Sequence, residues 1–149
     1  MTATLYNRDI LRLAAAIPHQ GRLADPQASA ERRAAPCGSR VIVDIILDRE
    51  GRVAALGQEV SACALGQASA SVMGGGALGR SGAELAAARD MLRNYLTGAR
   101  DDPGTWPGID ILCDARPYAA RHAAILLPFE AAAEAVAKAA PLRLRSGQG

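Results

Sequence analysis

Two thiols stand where a regular pattern gives way to a turn. Cys37 lies in Pro36-Cys37-Gly38-Ser39-Arg40, directly before a β-branched run, and Cys63 lies in Ser61-Ala62-Cys63-Ala64-Leu65-Gly66-Gln67, between a strand pattern and a stretch of small residues able to open a helix. Helix N-termini and unpaired loop amides stabilise a thiolate, and the thiolate is the form that ligates iron or zinc or attacks a sulfane sulfur. Both cysteines therefore suit a ligand or a nucleophile. The competing reading is packing, because free cysteine is among the most buried residue types and behaves as a small hydrophobe.

The elements that must position these thiols follow from periodicity. Tyr6, Ile10, Leu13 and Ile17 recur at helical spacing from about Leu5 to Ile17, and Pro18 stops that helix. Ser29, Glu31 and Arg33 alternate with alanines as an edge strand. Val41, Ile42, Val43, Ile45, Ile46 and Leu47 make a strand over 40–48 with apolar residues on both faces. Asp48-Arg49-Glu50-Gly51 is turn chemistry, and 53–60 returns as the second strand of an antiparallel hairpin. Cys37 before one strand and Cys63 after the other then share one end of the sheet.

A small-residue helix follows Cys63 and ends at Gly74-Gly75-Gly76; Ser81 and Glu84 are spaced as a capping box for a helix from Gly82 to about Leu96, closed by Gly98. Residues 99–108 read as a solvent loop, and the apolar run Ile109-Asp110-Ile111-Leu112-Cys113-Asp114 as a strand or loop. A last helix runs from near Pro117 to about Ala140, with a kink or break expected at Pro128. Residues 1–140 form a single domain, and 141–149 lack periodicity and suggest a flexible tail.

Composition excludes several classes. With one Phe, one Trp and three Tyr in 149 residues, the core must be built from Ala, Leu, Ile and Val. A net charge of +2 with scattered arginines gives no nucleic-acid footprint. No apolar stretch approaches the roughly 20 residues of a membrane span, and Asp9 and Arg12 occupy the place of a signal peptide's apolar centre, so a cytoplasmic protein is expected. Three cysteines cannot all pair, which points to free thiols in a reducing compartment. Gly74-Gly75-Gly76 lacks the ending of a phosphate loop, and neither His19 nor His122 stands in a Ser-His-Asp context, so no enzymatic turnover of an organic substrate is expected.

Asn7 to Leu13, Arg32-Arg33-Ala34-Ala35-Pro36-Cys37-Gly38, the Val41 to Leu47 strand, Ala62-Cys63-Ala64-Leu65-Gly66-Gln67-Ala68-Ser69-Ala70-Ser71 and Arg121 to Ala131 together resemble the NifU/IscU-type iron–sulfur cluster assembly scaffolds, in the right order over most of the chain. The resemblance implies an α+β fold of the SufE/NifU (IscU)-like kind, with a small antiparallel β-sheet packed against helices. It also implies a site at one end of the molecule where three cysteines and an aspartate hold a nascent cluster or zinc. Cys37 matches the first cysteine, in the family's Cys-Gly-Asp motif, and Cys63 the second. The aspartate position is Ser39 and the third cysteine position is Ala124, with Ala123 where a histidine often precedes it.

His122 lies beside those lost positions, and a neutral imidazole ligates zinc or iron, so it is the candidate substitute ligand; a helix-surface histidine is the competing reading. Cys113 reads as structural. The resemblance implies an iron–sulfur cluster or iron as cofactor, with zinc an option, and a cysteine desulfurase and cluster-acceptor proteins as partners. Two alternatives stay open. Cys37-Gly38-Ser39-Arg40-Val41 is similar to the Cys-x-Ser-x-Val signature of SufE-type sulfur acceptors, which take persulfide from a desulfurase on one loop cysteine. A degenerate paralogue without metal chemistry is the other.

Overall fold

The computed structural model describes residues 7–35 and 38–148, with side chains described as far as residue 140. Three strands, β1 (Ala28–Ala34), β2 (Ser39–Leu47) and β3 (Val53–Ser61), form one antiparallel sheet in the order β1-β2-β3. Four helices, α1 (Arg8–Ala15), α2 (Ala64–Gly76), α3 (Gly82–Leu96) and α4 (His122–Gln148), join it, together with 3-10 turns at Ile109–Ala115 and Ala119–Arg121. This is the expected α+β architecture.

The sheet is central because β2 is apolar on both faces: Val41, Val43 and Ile45 are fully buried on one side, while Ile42 and Asp44 are buried on the other. α4 lies across β1 and β2 and presents Ala124, Ile125, Phe129, Ala132, Ala135 and Val136 to the core. Alanines on that face let the helix approach closely, which is how a chain with so few aromatics fills its interior. The Asp48–Gly51 turn closes the β2–β3 hairpin, with Gly51 at φ 82°. The free edge of β3 is covered at Gln58, whose amide and carbonyl bond to His19 O and Gly21 N.

On the outer face of the sheet the loop before β1 is tied down by Asp44. Its carboxylate receives Arg22 Nε at 2.7 Å, Arg22 Nη2 at 3.1 Å, Leu23 N at 2.9 Å and Ser29 Oγ at 2.5 Å. Burial pushes this carboxyl up, and the bonds from Arg22, Ser29 and Leu23 outweigh it, holding it below its ordinary value.

Local differences from the sequence reading have physical causes. Among the described residues α1 begins at Arg8, because Asn7 caps it by accepting from Ile10 N, while Leu5 and Tyr6 lie outside those residues. Ile109–Ala115 is a 3-10 helix rather than a strand or loop, and Ile109, Leu112 and Ala115 are buried at its three-residue period. α4 runs through Pro128 instead of breaking there: proline leaves the Ala124 carbonyl without its intrahelical donor, and Ser69 Oγ donates to the neighbouring Ile125 carbonyl at 2.5 Å. Helical backbone also extends to Gln148, over the segment read as a flexible tail.

The glycine triplet stays within α2 to its last residue, and two of its members are spacing devices. A Cβ at Gly74 would lie 2.7 Å from Gln58 Nε2, and one at Gly76 would lie 2.9 Å from the Trp106 ring. Trp106 cannot yield: its Nε1 donates to Val72 O at 2.9 Å, Phe129 packs edge-on at 5.4 Å, and the Arg80 guanidinium stacks 4.9 Å from the ring centroid. Gly76→Ala is therefore expected to destabilise by about 1–3 kcal/mol despite alanine's helix preference, read as a lower Tm with altered tryptophan fluorescence.

Candidate functional site

The β2–β3 register sets Cys63 near the residues that follow Cys37 in the sequence. Arg40 pairs with Ser61 and Val41 with Val60; continuing that register beyond the strands sets Ser39 opposite Ala62 and Gly38 opposite Cys63. At the other edge Ala34 pairs with Ser39, and Gly38, at φ 76°, donates its N–H to Ala34 O at 2.9 Å. Gly38, Ser39, Ser61, Ala62 and Cys63 line a shallow cavity of about 190 Å³ at this end of the sheet. Cys37 lies outside the described residues, so its sulfur position is not part of this geometry.

Cys63 is the N-cap of α2, with φ −65° and ψ 169°, and its side chain makes no capping bond. Serine, threonine, aspartate or asparagine at this position would accept from a first-turn amide. A thiol leaves those amides without that partner, beside a half-buried sulfur that faces the cavity. Ser39, buried to 3 % exposure, occupies the position two after Cys37 and lines the same cavity. It offers a hydroxyl where a carboxylate would be the stronger ligand.

α4 approaches the same end. A Cβ on Gly66, in the first turn of α2, would lie 2.7 Å from the Ala62 Cβ and 3.4 Å from the Ala124 carbonyl oxygen. Ala124 is thus buried against the helix that Cys63 caps, and its methyl supplies no ligand. The glycine inside an otherwise small but side-chain-bearing run is the signal in the sequence for this close approach.

His122 is the first residue of α4, two before Ala124, and residues two apart on a helix do not share a face. Its Nε2 lies 2.8 Å from the Arg116 carbonyl oxygen, which places the proton on Nε2 and leaves Nδ1 as the nitrogen able to ligate. Arg116 itself bonds the carbonyls of Tyr95 and Arg100, and stacks 4.3 Å from the Tyr95 ring centroid. Cys113 belongs to this neighbourhood, packing against the core; a hydrogen bond with Cys113, followed by burial, raises the Tyr95 phenol above its ordinary value. Among the described residues no three His, Cys, Asp or Glu side chains gather as a metal-ligating group.

Comparison with solved structures identifies a close match in a nitrogen-fixing NifU-like protein (N-terminal) from Brucella abortus, at 37 % identity and TM-score 0.86, covering 92 % of this chain and 95 % of that one. A protein named as an iron–sulfur cluster assembly scaffold candidate for the SUF system of Fervidobacterium islandicum shares the fold at 22 % identity and TM-score 0.81, covering 89 % of this chain and 96 % of that one. No protein-family model and no curated protein matches. No described helix is long and apolar enough to cross a membrane.

Proposed function

This chain belongs to the NifU/IscU-type family, and on that premise we propose that it serves iron–sulfur cluster assembly as a scaffold-type protein, holding iron or nascent cluster at the sheet end that carries Cys37 and Cys63. The observation that carries this reading is Cys63 itself, a thiol at an uncapped helix N-terminus, facing a cavity shared with the residues that follow Cys37. Thiolates are the ligands that iron–sulfur chemistry requires, and two from adjacent turns supply the first half of a coordination shell. Iron and sulfide are cargo in this reading, and a cysteine desulfurase and cluster-acceptor proteins are the partners it implies.

A second reading is favoured by the scarcity of further donors among the described residues. In it, the Cys37 thiolate attacks the outer sulfur of a desulfurase persulfide. A new Sγ–S bond forms on Cys37 as the donor S–S bond breaks, and the desulfurase cysteine leaves as thiolate. The proteins tested are the full chain and a cysteine desulfurase. Anaerobic reconstitution with iron and sulfide is expected to yield bound iron and acid-labile sulfide. Persulfide on Cys37 by mass spectrometry without bound iron selects the carrier reading, and neither result removes both.

His122 is the remaining ligand proposal, and its position sets the expected result. With Nε2 committed to Arg116 and the ring on a different face from Ala124, His122→Ala is expected to lower iron occupancy far less than loss of either cysteine, measured by metal analysis after reconstitution. A loss equal to that of the cysteine variants would assign Nδ1 as a ligand.

A further inference from the structure

A cavity of about 690 Å³ lies away from the cysteines, between α1, the C-terminal half of α2 and the 3-10 turn at Ile109–Ala115. That is the size of groove that takes a ligand or several side chains. Its apolar walls are Leu13, Val72 and Ile111.

Gly75 lines it, and here the glycine triplet differs from member to member. Gly74 and Gly76 are required by close neighbours, but a Cβ at Gly75 would meet nothing within 4 Å. A helical glycine with open space above it is unfavourable relative to alanine, so packing within the fold does not call for it. Its effect is to leave that part of the groove wall without a side chain.

The rim is acidic. Asp9, Asp110 and Asp114 line it against the single cation Arg12. Most carboxylates of the helices and sheet are neutralised by arginines, as at Glu31, Asp44, Glu84, Asp90 and Glu130. The rim aspartates form no ion pair among the described residues, and Asp114 accepts only a long 3.4 Å bond from Asn7 Nδ2. A locally acidic groove on a chain of net charge +2 selects for a cation.

We propose that this groove docks a segment of a partner protein in which an apolar side chain is flanked by lysine or arginine, the apolar group seated over Gly75 and the cations on the aspartate rim. Gly75 stands twelve residues after Cys63 on one helix, about 18 Å along its axis. A partner held there leaves the thiol end open.

The test uses the full chain and a fluorescein-labelled peptide of three Lys-Lys-Leu-Leu repeats, with a twin carrying glutamate for lysine. The lysine peptide is expected to bind, more weakly as salt rises, and the glutamate twin not to bind. Gly75→Leu and Asp110→Lys should each weaken binding about tenfold or more. Gly75→Leu should keep or raise Tm, because its side chain enters open space and leaves a glycine's helix penalty behind. Amide shifts on binding should centre on 71–76 and 108–114. No measurable binding, or Gly75→Leu binding as tightly as the parent, overturns the proposal. So does a tenfold gain in affinity on removing residues 2–6, which would make the chain's own terminus the occupant.

Discussion

Cys63→Ser is expected to abolish iron retention after anaerobic reconstitution while making the protein more stable. The two halves of this result have one cause. As N-cap of α2, Cys63 makes no side-chain bond to the first-turn amides. A serine hydroxyl in the same place accepts from the N2 or N3 amide, a gain of about 1 kcal/mol, or a few degrees in Tm. The same hydroxyl, neutral and hard, is a poor replacement for a thiolate on iron. Cys37→Ser should lose iron equally on the scaffold reading. On the carrier reading, Cys37→Ser alone eliminates persulfide acceptance, whereas Cys63→Ser leaves much of it. Reduced stability together with full loss of iron in Cys63→Ser would show the thiol to be a packing residue whose removal disturbs the site indirectly.

How far this could be read from the chain depended on whether a signal was local. The Ser81–Glu84 capping box and the Gly51 turn are short-range devices, and both are present as expected, with both reciprocal bonds of the box formed. The β-branched density of Val41 to Leu47 announced a strand covered on both faces, and the placement of Cys63 before small residues announced a helix start. Signals that rest on three-dimensional neighbours are not legible in this way. The triplet at 74–76 reads as a helix terminus, and α2 does end at Gly76; what the sequence hides is that Gly74 and Gly76 also answer to Gln58 and Trp106, which are distant in sequence. The apolar run at 109–114 reads as one stretch in the sequence, and only its packing separates Ile109, Leu112 and Ala115 as the buried side of a 3-10 helix. The site itself divides in the same way. The helix-cap position of Cys63 is local; the relation of Ala124 and His122 to it depends on how α4 crosses α2.

Asp44 is the clearest residue that periodicity hides, since an aspartate inside a β-branched run gives no hint of its four bonds. Its carboxylate is fully buried, while Arg22 keeps 48 % of its side chain exposed. Asp44→Ala would let Arg22 turn to water but strand the Leu23 amide and the Ser29 hydroxyl, and it would release the loop that leads into β1. The expected cost is about 3 kcal/mol, the scale of stranded buried donors and of a broken partly buried ion pair. Against a typical domain stability of about 5–15 kcal/mol, that should lower Tm by about 10 °C.

The pH dependence follows from the same bonds. A carboxyl held below its unfolded value contributes stability that is complete above that value and is lost as pH falls through the folded one. Asp44 is held down in this way from 3.8. Glu84 is held at about 2 against 4.5, first by the Ser81 amide and then by Arg80 and Arg52. Stability measured by denaturant titration should therefore be flat above about pH 5 and fall progressively between about pH 4.5 and 2. Glu84→Gln should flatten part of that limb, because glutamine still fits the capping box but does not titrate. Asp44→Asn should flatten another part at a higher baseline cost, since its amide turns a donor toward Arg22 or Leu23. A limb of unchanged steepness in both variants would place the acid-sensitive groups elsewhere in the molecule.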